Sequence, residues 1–165
     1  MQIGRLIRHA TATHWRTRMI FPAATLDAIE QAIKRAELTH AGEIRFAIET
    51  SLTPRHILND ITPRAHALVV FSQLRVWDTE ANNGVLIYLL RADRAVEIIA
   101  DRGINARVTA AEWEQVCRQV EAHYRAGRYV EGSRAAVAGV AGLLAQHFPA
   151  ARASGNELPN QAILI

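Results

Sequence analysis

The pattern of apolar and polar positions predicts helices that alternate with strands along the chain. Residues from about 25 to 38 carry apolar side chains at helical spacing, at Leu26, Ile29, Ile33 and Ala36. Residues 43–49 instead alternate, with Ile44, Phe46 and Ile48 on one face. This alternation predicts a strand that packs one face on the core and leaves the other face in solvent.

A second helix and a pair of strands are predicted in the middle of the chain. Thr62-Pro63 is typical of a helix start. The inward stripe predicted after it comprises Ala65, Leu68, Val69, Ser72 and Val76, widened by Val70, Phe71 and Leu74. Residues 85–90 are apolar apart from one tyrosine hydroxyl, which indicates a central strand covered on both faces. A short turn and a further strand at 95–100 complete a predicted hairpin.

Two long helices are predicted before a loose tail. A capping box opens the first of them, whose inward face comprises Trp113, Val116, Cys117, Val120 and Tyr124. The last helix is predicted from about 130 to 148, and its inward face comprises Val137, Val140, Ala141, Leu144 and Phe148. The tail at 149–165 is mostly small and polar, although its final residues Ile163-Leu164-Ile165 could dock on the domain.

These elements predict a single-domain α/β fold with a small mixed sheet. Strand 43–49, a crossover helix and strand 85–90 form a parallel βαβ unit, and strand 95–100 is antiparallel to its neighbour. The predicted organisation is a basic N-terminal arm at 1–21, a domain at 22–148 and the tail at 149–165.

The positive charge of the chain is concentrated in the arm. Of the 165 residues, those from 1 to 21 include no acid and four arginines, Arg5, Arg8, Arg16 and Arg18. The domain itself therefore lacks the basic stripe expected of a nucleic-acid-binding protein. The arm has the composition of a transit peptide, but we favour a helix that docks Leu6, Ile7, Ala10 and Trp15 on the domain.

The usual sequence signatures of catalysis are missing. There is no glycine-rich nucleotide-binding motif, no P-loop and no nucleophile elbow. The seven histidines and the single cysteine have no zinc-ligand spacing, and Cys117 is expected to be a small buried side chain. One cysteine suits a reducing compartment, and no apolar run reaches the roughly 20 residues of a spanning helix. We therefore expect a protein without a transmembrane span.

Polar residues gather at one edge of the predicted sheet. The loop at 77–84 enters one strand there, strand 95–100 ends there, and strand 43–49 begins there. The predicted ligand site comprises Asp78, Glu80, Asn82, Asn83 and Asp101, with Arg102 to contact a phosphate or other anion and Glu43, Gly84 and Gly103 in support. Such oxygen ligands suit Ca²⁺ or Mg²⁺. The alternative is that these residues only form turns.

Several stretches of the chain resemble the TPM domain family, which is named for a thylakoid lumen protein, a photosystem II repair protein and a receptor modulator. They are Gly42-Glu43-Ile44, Asn83-Gly84-Val85-Leu86-Ile87, Asp93-Arg94 with the strand after it, Gly103-Ile104, and Tyr124 to Tyr129 with Gly132. Together they cover about residues 26–148. The resemblance implies a compact α/β/α sandwich of the short, soluble bacterial branch of the family.

The resemblance implies two classes of function. Some members of the family are described as acid phosphatases or bind divalent cations through acidic loops, and others assist membrane complexes. It also implies a cytoplasmic location and a protein partner, such as a LemA-like membrane protein or a longer TPM protein. Acidic positions of many members are replaced here, at Phe21 to Ala24, at Ile104 to Ala106 and around Thr109.

These replacements favour a non-catalytic interaction or auxiliary module, because the affinity of a hard-cation site follows the number of its charged ligands. A divalent-metal-dependent acid phosphatase remains the alternative. Peripheral contact of the basic arm with an anionic membrane surface is a third hypothesis.

Overall fold

The computed structural model of the protein describes residues 2–150 and 155–165. Its elements, in chain order, are α1 (Gln2–Thr11), α2 (His14–Ile20), α3 (Ala23–Ala36), β1 (Glu43–Glu49), α4 (Pro54–Leu58), α5 (Pro63–Gln73), β2 (Gly84–Leu90), β3 (Ala95–Ala100), α6 (Arg102–Asn105), α7 (Ala110–Arg125), α8 (Tyr129–His147) and β4 (Ile163–Leu164). The strands form one sheet in the order β3-β2-β1-β4. The predicted mixed sheet is confirmed, since β1 is parallel to β2 and β3 is antiparallel to it.

Helices α3, α7 and α8 cover one face of the sheet. The predicted capping box opens α7, where the Thr109 hydroxyl accepts from the backbone N–H of Glu112 and the Glu112 carboxylate accepts from that of Thr109. The inward stripes of these helices are buried as predicted, among them Ile29, Ile33, Val120, Val140 and Leu144. They pack on one side of the strands, which contributes Ile44, Phe46, Ile48, Val85, Ile87 and Leu89.

Helices α1, α4 and α5 cover the other face, and here one prediction is wrong. The structure buries Ala67 and Val70 of α5, whereas Leu68 is 50% exposed and Val69 is 46% exposed. Because residues 67–71 are apolar throughout, the pattern does not decide which face of the helix is inward. On this side of the sheet the inward face of the helix also makes polar contacts, such as that of His66 Nε2 with the Glu49 carboxylate at 3.0 Å.

The predicted solvent-exposed face of β1 is also buried. Glu43 is 5% exposed and Arg45 is 7% exposed. They lie beneath residues 155–165, whose strand β4 pairs in parallel with β1. The prediction of a loose tail is therefore wrong for residues 155–162, whereas the predicted docking of Ile163-Leu164-Ile165 is confirmed. Residues 151–154 lie outside the described part of the chain. One Nη atom of Arg45 donates to the backbone carbonyls of Pro159 and Gln161.

The N-terminal arm forms two helices rather than one. Thr13 separates them, and its side chain accepts from the backbone N–H of Arg16 to cap α2. Leu6 packs on the domain as predicted. The predicted docking of three other side chains is wrong, because the structure exposes Ile7, Ala10 and Trp15. In residues 2–150 and 155–165, no helix has the length and apolarity needed to cross a bilayer.

Candidate functional site

The loop before β2 is a hydrogen-bonded turn. The hydroxyl of Thr79 accepts from the backbone N–H of Asn83, and the carbonyl of Thr79 accepts from that of Asn82. Asn82 has a φ of 51°, in the left-handed region that asparagine tolerates better than most residues. The polar stretch from 79 to 83 thus has a structural reason for its composition.

Two glycines allow this loop to pack against neighbouring backbone. A Cβ atom on Gly84 would lie 1.9 Å from the carbonyl oxygen of Val76, and one on Gly103 would lie 2.5 Å from that of Asn82. The backbone N–H of Gly103 donates to the same Asn82 carbonyl at 3.1 Å. Both predicted supporting glycines therefore hold the edge together through close backbone approach.

Arg102, Asp101 and Asn82 come together at this edge as predicted. The Arg102 Nε atom donates to Asn82 Oδ1 at 2.9 Å. Asp101 caps the short helix α6, where its Oδ1 atom accepts from the backbone N–H of Arg102 at 2.7 Å. The guanidinium of Arg102 is oriented by Asn82 while its residue remains exposed, which is a suitable arrangement for contact with an anion.

Glu43 and Asn83 lie on the inner side of the same edge. The backbone N–H of Glu43 donates to the carbonyl of Asn83 at 3.0 Å, and Asn83 Nδ2 donates to the carbonyl of Ala41. The Glu43 carboxylate accepts the backbone N–H groups of Glu157 and Leu158 at 3.3 and 3.2 Å. Residues of the predicted site therefore hold the C-terminal segment in place.

Asp78 and Glu80 are both exposed. The backbone N–H of Glu80 donates to the carboxylate of Glu157 at 2.9 Å, which is a contact that the sequence did not predict. Among the residues that the structure describes, no group of three or more His, Cys, Asp or Glu side chains is arranged to hold a metal ion. Metal binding at this edge stays a prediction.

Two buried oxygens at this edge have no hydrogen-bond donor among the described residues. They are Asn83 Oδ1 and Asp101 Oδ2. Their residues are close along the sheet, since the backbone N–H of Asp101 donates to the carbonyl of Gly84, which follows Asn83. Buried polar atoms are normally paired, so these two acceptors are open to a water molecule or a ligand.

The comparisons with known proteins fit this architecture. The TPM domain family matches residues 17–143. The chain belongs to the TPM domain family. The match covers more than half of the chain and includes the loop at 79–84, the strands β1 to β3 and the helices α3 to α7.

Two solved structures resemble this TPM domain. The BA42 protein from the psychrophilic bacterium Bizionia argentinensis, solved by NMR, has a TM-score of 0.75 and 30% sequence identity, with 86% of this chain and 93% of that chain covered. The N-terminal domain of a protein from P. gingivalis has a TM-score of 0.59 and 21% identity, with 76% and 79% covered, and supports the fold alone. The comparison with curated proteins gives no match.

Burial raises the pKa of two carboxylates beside this edge of the TPM domain, Glu37 and Glu43. Burial raises the pKa of Glu37 to about 7, with a further contribution from the charge of Glu43, against opposing hydrogen bonds from Ile44 and Asn160. Burial also raises the pKa of Glu43, although the N–H groups of Leu158 and Glu157 oppose it. Sequence reasoning missed Glu37 because it lies at the end of a helix with no motif around it.

The N-terminal arm docks on the TPM domain through Asp93. Arg5 Nη2 lies 2.8 Å from one oxygen of Asp93, and His9 Nε2 lies 3.0 Å from the other. His9 Nδ1 also accepts the backbone N–H of Leu52 at 2.9 Å. Burial alone would raise the pKa of Asp93, but the hydrogen bonds and charges of Arg5 and His9 outweigh it and lower that pKa.

The outward side of the arm is apolar and basic. Four large apolar side chains are more than half exposed: Ile3 at 75%, Ile7 at 57%, Trp15 at 68% and Met19 at 63%. The exposed basic residues of the arm are Arg16, Arg18 and Arg8, whose Nη2 atom also lies 3.4 Å from Asp93. Sequence reasoning found this arm through its charge but expected two of these four side chains, Ile7 and Trp15, to dock on the domain.

Proposed function

We propose that this TPM domain is an interaction module that attaches to a membrane surface, where it serves a membrane-associated complex. The outward side of the N-terminal arm is the contact surface. The observation that carries this proposal is the exposure of Ile3, Ile7, Trp15 and Met19 on helices that have no acidic residue. Large apolar side chains at such exposure favour an interaction site over a solvated surface.

The spacing of these side chains supports a continuous apolar surface on each helix. Ile3 and Ile7 are four residues apart on α1, and Trp15 and Met19 are four residues apart on α2. Residues at this spacing lie on the same side of a helix. Helices that lie in the membrane interface combine such apolar residues with Lys or Arg beside them.

The inward side of the arm has its own contacts, so docking on the domain does not explain the exposed residues. Arg5 and His9 bind Asp93, and Leu6 packs against the apolar core on this face of the sheet. Thr17 is buried, and its hydroxyl accepts from that of Thr50 at 3.0 Å. The arm is therefore held in place by one side while its other side projects from the domain.

The expected binding energy suits reversible attachment. Full burial of one large apolar side chain contributes about 1.5–3 kcal/mol, and each basic residue near an anionic lipid surface contributes about 1 kcal/mol. Partial burial of two to four such side chains with three arginines is consistent with a peripheral protein. A LemA-like membrane protein or a longer TPM protein at that surface, and a cytoplasmic location, are parts of this proposal.

Co-sedimentation with lipid vesicles tests the proposal. The full chain is mixed with vesicles of phosphatidylglycerol and, separately, of phosphatidylcholine. We expect binding to the anionic vesicles that weakens as salt is raised. The double variant Trp15→Ser with Met19→Ser should lose most of this binding. A matched control is Leu58→Ser, which removes an equally exposed apolar side chain from α4. Equal binding by both variants would contradict the proposal.

A divalent-metal-dependent acid phosphatase is the second candidate, and the two unpaired oxygens at the loop edge favour it. Asn83 Oδ1 and Asp101 Oδ2 would be joined by Asp78, Glu80 and Asn82 around Ca²⁺ or Mg²⁺, in the manner that hard cations require. Arg102, oriented by Asn82, would contact the phosphate of the substrate.

Backbone amide shifts separate this candidate from the first. Titration of Ca²⁺ or Mg²⁺ into labelled protein should give saturable shifts confined to residues 77–84 and 101–106. Hydrolysis of p-nitrophenyl phosphate should then depend on the metal and be abolished in Asp101→Ala, with the exposed Asp27→Ala as the control. No shift at millimolar metal would remove the phosphatase candidate and leave the vesicle experiment unaffected.

A further inference from the structure

Arg91, in the turn between β2 and β3, carries a positive charge that the described chain leaves without a counter-ion. The residue is partly buried, and its Nε atom is buried with no hydrogen-bond acceptor among the described residues. Within residues 2–150 and 155–165, its guanidinium forms no ion pair with a carboxylate. Buried donors are normally paired, and a partly buried charge without a counter-ion is costly. A bound anion would therefore stabilise Arg91.

Arg91 lies beside helix α2 of the arm. Its backbone N–H donates to the carbonyl of Glu49 at 2.9 Å, and the N–H of Ala92 donates to the carbonyl of Thr50 at 3.1 Å. The hydroxyl of Thr50 donates in turn to that of Thr17 on α2 at 3.0 Å. The turn and the helix are thus both bonded to the end of β1, which places them next to each other.

Arg16 on α2 brings a second positive charge to Arg91. Burial lowers the pKa of Arg91, the charge of Tyr129 opposes this effect, and the charge of Arg16 lowers the pKa further. Arg16 is exposed and, in the part of the chain that the structure describes, also forms no ion pair. Like charges that lie near each other repel, so an anion that contacts both arginines would be favoured.

Arg16 lies between the two sides of α2. Successive residues are about 100° apart around a helix, so Arg16 falls between Trp15, which is exposed, and Thr17, which is buried. The two arginines therefore lie beside the exposed apolar side chains of Trp15 and Met19. At a membrane, aromatic side chains lie at the level of the lipid headgroups. This is also the level at which Arg16 and Arg91 would meet lipid phosphates.

We propose that Arg16 and Arg91 together bind the phosphate group of an anionic phospholipid. This inference rests on the proposed function, in which the arm attaches to a membrane surface. Phosphate suits the pair better than a carboxylate, because its oxygens point in several directions and can accept from guanidinium groups on separate elements. A lipid is favoured over free phosphate, because Trp15 and Met19 beside the site would contact its apolar part.

The side-chain signal of Arg91 in the isotopically labelled full chain tests this inference. The probe is dihexanoyl-phosphatidylglycerol below its micelle concentration. We expect a saturable shift of the Arg91 Nε–H signal, which burial protects from exchange with water. Arg91→Gln and Arg16→Gln should each weaken the lipid about tenfold, measured at the backbone amide of Ala92, because each removes a charged donor.

Arg118→Gln is the matched control for these variants. It removes the same charge from an exposed residue of α7, where Arg118 pairs with Glu114. The lipid should bind this variant as it binds the wild type. Absence of a saturable shift at Arg91, or equal weakening by Arg118→Gln and Arg91→Gln, would overturn the inference.

Inorganic phosphate is the second probe and separates the two sources of a phosphate group. We expect it to bind at least about tenfold more weakly than the lipid, because it has no apolar part to contact Trp15 and Met19. Equal or tighter binding of inorganic phosphate would overturn the assignment of the site to a lipid.

Co-sedimentation with phosphatidylglycerol vesicles separates this inference from the proposed function. If Trp15→Ser with Met19→Ser loses binding while Arg91→Gln binds as the wild type does, the arm remains the contact surface and the phosphate site is wrong. If the double variant binds as the wild type does, the proposed function itself fails, whatever Arg91→Gln does.

Discussion

The face of the sheet beneath α3, α7 and α8 is apolar, whereas the face beneath α1, α4, α5 and the C-terminal segment buries charged groups. On the apolar face, Ile44, Phe46 and Ile48 of β1 meet the long helices. On the polar face, Arg45 binds the carbonyls of the C-terminal segment, and Glu49 accepts from the hydroxyl of Tyr88 at 2.7 Å. Burial raises the pKa of Tyr88, and the charge and hydrogen bond of Glu49 raise it as well.

The two sides of β1 therefore have different roles. The apolar side of β1 stabilises the fold through burial, which is insensitive to pH and salt. Its polar side holds separate segments through hydrogen bonds to charged groups, which respond to pH and can be removed one at a time. Two segments are attached to the polar face. One is the arm, for which we propose a membrane contact, and the other is the C-terminal segment, which Arg45 holds.

The largest effect is expected on the apolar face. Leu144 is fully buried and packs against Gly42, so Leu144→Ala should lower the free energy of unfolding by about 3 kcal/mol through lost burial and a cavity. Urea denaturation measures this change. Leu58→Ala, at a residue 64% exposed, should change it by less than about 0.5 kcal/mol. A loss below about 1 kcal/mol for Leu144→Ala would contradict the expectation that burial on the apolar face contributes most to stability.

A smaller effect is expected where Arg45 holds the C-terminal segment. Arg45→Met keeps the apolar stem but removes the donors to Pro159 and Gln161, which should cost about 2 kcal/mol. Limited proteolysis should then cut the segment at 155–165 faster than in the wild type. Arg35→Met on the exposed side of α3 is the control. Unchanged proteolysis would show that β4 pairing alone holds the segment.

The sequence predicts the apolar face of the sheet better than the polar face. Periodicity predicted α3, α7 and α8 because each has a one-sided apolar stripe that only one face of a sheet can bury. It failed at β1, where the pattern cannot tell a solvated charge from one that binds the carbonyls of Pro159 and Gln161 far along the chain. It failed at α5 because Leu68 and Val69 are as apolar as the buried Val70.

For the candidate site, topology predicted the meeting of Asn82, Asp101 and Arg102, since strand ends at one edge of a sheet lie together. The contacts of Glu157 with Glu43 and Glu80 could not be predicted, because they depend on a segment without a recognisable pattern. The unpaired oxygens of Asn83 and Asp101 are likewise visible only once the surrounding backbone is placed.

Glu37, at the C-terminal end of α3, should also make stability depend on pH. The pKa of Glu37 is raised from 4.5 to about 7 in the folded protein, so between these values the folded state binds more protons than the unfolded state. The stability that Glu37 contributes is therefore present at low pH and lost as pH rises from about 4.5 to 7. Glu37→Gln should remove this part of the decline in chemical denaturation.

The exposed Glu114→Gln on α7 is the control for Glu37→Gln and should leave the pH profile unchanged. Glu43 keeps a contribution in the same direction in both variants, because burial raises its pKa too. Identical pH profiles for wild type and Glu37→Gln would show that the buried carboxylate is not a source of pH dependence.

The smallest effect on stability is expected at the outward side of the arm. Trp15→Ser with Met19→Ser should change the free energy of unfolding by less than about 0.5 kcal/mol, because both side chains are more than 60% exposed. Thermal denaturation checks this. A clear loss of stability would show that these side chains stabilise the fold. It would contradict the proposal that the outward side of the arm is a contact surface.

Tryptophan fluorescence on lipid vesicles tests the proposed function most directly. Phosphatidylglycerol vesicles are added to the wild type and to Trp15→Phe, which retains Trp77 and Trp113. We expect a blue shift of emission in the wild type, because Trp15 leaves water for the membrane interface. Trp15→Phe should show little or no shift. An equal shift in both proteins, or none in the wild type, would contradict the assignment of the arm as the membrane-contacting surface.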